Sequence, residues 1–238
     1  MTVLPVDDDR VVALTKAIRT GDTARLSQLL RDHPELATAR FGDDNGARTS
    51  LHVATDWPGN LPNGAAVVGM LVKAGADVNA RFSGPHSETP LHWAASSDDV
   101  AVLDALLDAG ADIEADGAVV ARGTPMFDAV AFGQWKAARR LVEKGAATTM
   151  WQAAALGLLD LVRDAVAETS PSPEEITNAL WHACHGGQQA VAEYLLEQGG
   201  DPNWVGWEDK TPLDAARAAG ADDVAAWLES KGARGAST

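Results

Sequence analysis

The residues best equipped for chemistry gather late in the chain. His182, Cys184 and His185 lie within four positions of one another, and Glu208 and Lys210 follow some twenty-five residues on. Imidazole, thiol and carboxylate are the groups that bind transition metals or move protons. On a helix His182 and His185 share a face at a spacing of three, but Cys184 points elsewhere. No second cluster offers a third and fourth ligand at zinc-like spacing, so no metal is expected. If the protein is an enzyme, the arrangement to test is His185 as general base with Glu208 or Lys210 beside it. The sequence has no G-x-x-x-x-G-K-[ST] phosphate loop, no G-x-S-x-G elbow and no H-E-x-x-H. It shows no haem, flavin or nicotinamide fingerprint either, so no cofactor is expected and a non-enzymatic role is favoured.

Tryptophan is the second unusual resource, with eight copies against one Tyr. Trp57 stands in the segment Asp56-Trp57-Pro58-Gly59-Asn60-Leu61-Pro62-Asn63-Gly64, whose Pro, Gly and Asn rule out helix and predict an ordered loop. Trp204 and Trp207 are three apart in a polar stretch. One is expected to pack inward and the other to face a groove, where an aromatic wall suits a small molecule or a peptide side chain.

These residues are positioned by a recurring element. Thr89-Pro90-Leu91-His92-Trp93-Ala94 has clear copies at Thr49–Ala54, Thr124–Ala129 and Thr211–Ala216. Degraded copies begin at Thr148 and Asn178, and the faintest is Val12–Ala17. Thr is a favoured N-cap, because its hydroxyl accepts from an unpaired amide of the first helical turn. Pro suits the next position, where no amide hydrogen is needed. Leu then points inward and the small Ala pair lets a second helix approach. A second apolar helix follows and stops at Gly, as before Gly75, Gly110, Gly145 and Gly199. Trp151 and Trp181 fill the slot of His52 and His92 and are expected to pack locally.

A self-similarity of this period means a stack of small units. The stretch resembles the ankyrin-repeat family, whose unit of about 33 residues carries T-P-L-H-x-A at the start of its first helix. The resemblance implies an all-α solenoid of about seven helix-turn-helix units with β-turn fingers. It also implies that the His braces the turn between neighbours by hydrogen bonds. In the family, recognition uses finger tips and the exposed positions after the Ala pair. Carried onto this chain, that selects Asn45, Arg48, His86, Glu88, Trp207, Glu208 and Lys210 from fingers. From the first helices it selects Asp56, Trp57, Ser96, Phe132 and His185, and Trp204 joins them by its spacing.

The markers at 49, 89, 124 and 148 leave intervals of 40, 35 and 24 residues. The long one holds the Trp57 loop. The short one leaves no room for a finger, so one is expected to be missing between units four and five, with a notch on the concave face. The link 167–175 lacks the Gly ending and is expected to break at Pro and feed a new helix capped by Ser172 or a neighbour. One elongated domain is expected over 9–232, with flexible termini at 1–8 and 233–238.

The formal charge of −15, with 34 acidic against 19 basic residues and no basic stripe, argues against nucleic acid and anionic membrane as partners. No apolar stretch approaches the length of a membrane span, and the start lacks the pattern of a secretion signal. The lone Cys184 excludes an internal disulfide, so a cytoplasmic monomer is expected. The favoured reading is a scaffold gripping a protein partner through its concave finger and helix face. The alternative is a small-molecule binder or enzyme with a pocket at the irregular units four to seven.

Overall fold

The computed structural model describes residues 3–43, 45–119 and 121–236. Among the described residues fourteen α-helices follow one another in pairs, and they fall into two compact units, Met1–Ala146 and Ala147–Thr238. None of these helices is long and apolar enough to cross a membrane.

In the first unit the pairs are α1 (Asp9–Thr20) with α2 (Thr23–Asp32), and α3 (Ser50–Ala54) with α4 (Gly64–Lys73). They continue with α5 (Pro90–Ser96) and α6 (Val100–Asp108), then α7 (Pro125–Ala131) and α8 (Trp135–Glu143). First helices pack on first helices, α1 on α3, α3 on α5 and α5 on α7, while α2, α4, α6 and α8 form the second layer. Leu51, Leu91 and Met126 lie fully buried at matching positions of α3, α5 and α7, beside Ala54, Ala94 and Ala129. The second helices contribute Val68, Leu71, Leu103, Leu106 and Leu141 to the same core. Burying one such side chain stabilises by about 1.5–3 kcal/mol, so the Leu and Ala register of each copy is what sets the stack.

A small sheet departs from the all-α expectation. β1 (Val3–Leu4) runs parallel to β2 (Arg40–Asp43), which pairs antiparallel with β3 (Gly46–Thr49). The ladder extends to the next finger through Ala47 and Ser83, whose amides exchange bonds of 2.7 and 2.9 Å, and Ser87 N–H then reaches Gly117 O. Residues 3–8, expected to be flexible, are thus held: β1 is paired, and the Asp8 carboxylate caps α1 by accepting from Arg10 N–H at 2.9 Å.

The Trp57 loop is ordered, as its composition predicts, and it laces neighbouring pairs together. Asn60 N–H donates to Asp99 Oδ2 at 2.6 Å, and Asn63 Nδ2 donates to Gly21 O at 2.9 Å. Gly59 has φ +72° and a Cβ there would meet Ser97 at 2.5 Å, so glycine is required twice over.

The second unit holds α9 (Met150–Leu156) with α10 (Leu159–Thr169), α11 (Pro173–His185) with α12 (Gln189–Glu197), and α13 (Pro212–Ala218) with α14 (Asp222–Ser230). α11 packs on α9 and α13. Six residues, 144–149, separate α8 from α9. The link 167–175 breaks as expected. Ser170 turns left-handed at φ 49°, Pro173 opens α11, and Ser172 and Glu175 form a capping box with Ser172 N–H to Glu175 Oε2 at 2.8 Å. α11, with 13 residues, is thereby longer than α9 and α13, with 7 each, by more than a turn. At the far end Ala233 is buried in the core and Ala236 N–H donates to Asp214 Oδ2 at 2.7 Å. Residues 233–236 are therefore tied down as well, where flexibility was expected; 1, 2, 237 and 238 lie outside the described residues.

Candidate functional site

The best-defined chemistry is the Thr–His brace. Thr49 N–H donates to His52 Nδ1 at 3.3 Å, and His52 Nε2 lies 3.1 Å from Glu88 O. A carbonyl only accepts, so Nε2 carries the proton and Nδ1 is the acceptor, which fixes the tautomer. His92 repeats the pattern between Thr89 N–H, at 3.1 Å, and Gly123 O, at 3.2 Å. Burial pushes His52 down to about 3 and lowers His92, so both rings are neutral.

The degraded copies solve the same problem with other side chains. Trp181 Nε1–H donates to Lys210 O at 2.9 Å, the carbonyl just before the next capping Thr. Trp181, expected only to pack locally, thus keeps the donor of the His it replaces and adds bulk. In α9 the cap is Thr149, one residue past the Thr148 marker, and its N–H donates to Gln152 Oε1 at 2.9 Å. Asp214 accepts from Thr211 Oγ1 at 2.8 Å and from Ala236 N–H.

In the first unit the expected binding residues are largely engaged with one another. Asp56 accepts from Arg48 Nη1 at 2.9 Å and from Arg19. His86 stacks on Phe82 at 4.4 Å and 13°. Glu88, placed at a finger tip by the resemblance, turns its carboxylate inward and is 7% exposed. Its Oε2 accepts from Trp93 Nε1 at 2.7 Å, its Oε1 from Val119 N–H at 2.9 Å, and His86 Nδ1 lies 3.2 Å away. These aromatic residues wall an open groove of about 400 Å³ that also meets Phe41, Arg48 and Val6. Ser96 hydroxyl bonds back to Trp93 O at 3.1 Å and so stays on its own helix. Asn45 lies exposed at the β2–β3 turn, its N–H on Asp43. Trp57 and Phe132 stand out, 78% and 52% exposed, at the C-terminal ends of α3 and α7.

Phe82, Trp93 and Asp128 belong to this face although sequence reasoning did not select them. Asp128 is 1% exposed, and neither carboxyl oxygen makes a hydrogen bond of ordinary geometry. Burial first, and then the neighbouring Glu88, push it up to about 8. The available signal was an acid in the slot after the motif His, a position held by Val53 and Trp93 in better copies.

In the second unit the selected residues do meet. Trp207 Nε1–H donates to Asn178 Oδ1 at 3.1 Å, and its ring is 52% exposed. Trp204 is half-buried and lies on Gly206, where a Cβ would come within 2.2 Å of the ring. Trp204 is thus the less exposed of the pair. Lys210 Nζ holds Glu208 Oε2 at 2.6 Å. Trp151 and Trp181 flank His182 at 4.5 and 5.0 Å, and Trp181 lies 5.4 Å from His185. Desolvation lowers His182 to about 4 and lowers His185, which Glu208 partly offsets. Cys184 is buried, and burial pushes its thiol up to about 12. No group of three or more His, Cys, Asp and Glu among the described residues is placed to hold a metal ion.

Stacked helix pairs, with a Thr N-cap at the start of α3, α5, α7, α9 and α13, define a helical repeat protein. A sequence profile described as ankyrin repeats in three copies matches residues 68–150 and 149–237. The chain belongs to the ankyrin-repeat family. It is also similar to an ankyrin repeat and KH domain-containing protein of Caenorhabditis briggsae, 29% identical over 239 residues. That match takes in 96% of this chain and 8% of the relative's length. Ankyrin repeats generally mediate protein–protein interaction.

Proposed function

We propose that this chain is a non-enzymatic interaction module whose seven helix pairs are seven ankyrin units, with the finger between the fourth and fifth deleted. It grips a protein partner through the inner first helices and the fingers. The observation that carries this reading is the exposure of Trp57, Phe132 and Trp207 while the other six tryptophans are buried or half-buried. Large aromatics left in water at loop ends and on a finger are the type of residue that anchors interfaces. The catalytic alternative gains no comparable support, because Glu208 is spent on Lys210 and the Cys184 thiol is sealed in the core. A buried lone cysteine and packing between nearest neighbours favour a cytoplasmic monomer.

The test immobilises the chain and passes source lysate over it, beside the triple variant W57A/F132A/W207A. Proteins captured by the wild type and lost by a variant with unchanged circular dichroism and melting support the reading. Equal capture by both, or capture by neither, overturns it.

A further inference from the structure

We infer that the face made by α11 and the finger 200–210 receives a basic segment of a partner protein. An Arg or Lys side chain lies on the Trp207 ring with its charge toward Asp209. This deepens the interaction reading and rests on it.

The ring is presented ready for such a contact. Its N–H is tied to Asn178 Oδ1, so the indole is fixed before any partner arrives, yet half its surface is open. Val205 beside it is 52% exposed, giving an apolar margin for the stem of a long cationic side chain. Behind the finger, Trp181, His182 and His185 make an aromatic wall. Burial keeps both histidines uncharged near pH 7, so the wall does not repel a cation.

Charge decides what the face prefers. Residues 147–238 carry fourteen Asp and Glu against five Lys and Arg. On the finger, Lys210 is neutralised by Glu208 at 2.6 Å, and Asp201 and Asp209 remain exposed. A chain of net charge −15 attracts a basic partner at long range and repels both an acidic one and a second copy of itself. An exposed Trp face then adds cation–π attraction, for which Trp is the best of the aromatic side chains.

The experiment uses the full chain and a dye-labelled peptide of alternating Arg and Leu, read by fluorescence anisotropy at two salt concentrations. A second peptide carries Glu at each Arg position. The Arg peptide is expected to bind and the Glu peptide to fail. W207A should weaken binding about tenfold and W207F less, since a phenyl ring keeps part of the cation–π attraction. D209N should weaken it and flatten its salt dependence, and V12A, at an exposed residue of the first unit, should leave it unchanged. Melting curves establish that each variant is folded.

Binding by W207A equal to that of the wild type overturns the proposal, because attraction to net charge alone then accounts for the result. Equal affinity for the Glu peptide, or no binding of the Arg peptide, also overturns it. A chain that captures a partner through Trp57 and Phe132 but ignores the Arg peptide keeps the interaction reading and loses this one.

Discussion

The Trp181 indole donates to the Lys210 carbonyl at 2.9 Å, the contact that His52 makes to Glu88 and His92 makes to Gly123. Two chemically different rings thus occupy one slot because both place an N–H at the same reach. What the fold demands there is a donor for the carbonyl before the next capping Thr.

W181F keeps an aromatic ring but removes the donor and part of the indole's bulk, leaving that carbonyl without its partner. A buried acceptor so stranded costs about 1–3 kcal/mol, and urea unfolding followed at 222 nm should show a loss in that range. Unchanged stability would mean that water replaces the indole without penalty.

Asp128 makes stability fall as pH rises. Its folded value of about 8 lies above the 3.8 of a free carboxyl, so the native chain holds a proton that the unfolded chain releases. The loss is up to about 1.4 kcal/mol per pH unit across that window and levels off above the folded value. His52 and His182 act in the opposite sense below their free value of 6.5, because the unfolded chain binds the proton they refuse. The two effects oppose one another in acid, and Asp128 stands clear between about 6.5 and 8. D128N should abolish the decline there; denaturation midpoints at pH 6.5, 7.3 and 8 decide it. A slope that persists in D128N assigns the proton to another group.

Much of this was legible in the sequence. Thr caps, N1 prolines and Gly stops set the helix pairs, because each rests on chemistry within a few residues. The Trp181 brace was missed because its partner, Lys210, lies 29 residues away and is met through a backbone carbonyl. Glu88 was read as a finger-tip contact because sequence does not show that Trp93 and Val119 N–H would draw its carboxylate inward. The β1–β2 pairing was missed because β1 is two residues long and its partner lies beyond two helices.

Two glycines separate steric from conformational need. Gly186 has an ordinary helical φ of −80°, but a Cβ there would lie 1.9 Å from Ala155 O, so G186A must push α11 off α9. Overpacking of that kind costs about 1–3 kcal/mol or more. Gly110 has φ +91° with open space around it, so G110A bears only backbone strain of about 1–2 kcal/mol. Thermal melts of both variants should rank G186A as the more damaging; the reverse order would place the helix contact elsewhere.

Cys184 offers a built-in probe of how the second unit opens. Its thiol is 0% exposed within a core that includes Ala154, Ala183 and Leu213, and burial holds it at about 12, far from the thiolate that reacts with disulfide reagents. Labelling by an aromatic disulfide at pH 8 should therefore be slow in the native chain and limited by opening of that core. W181F and G186A, which loosen the packing around α11, should speed it about tenfold for each 1.4 kcal/mol lost when opening is a pre-equilibrium. D128N, confined to the first unit, should leave the rate alone if the second unit opens by itself. Faster labelling in G110A, matched to its loss of overall stability, would instead show that the thiol is reached only when the whole chain unfolds.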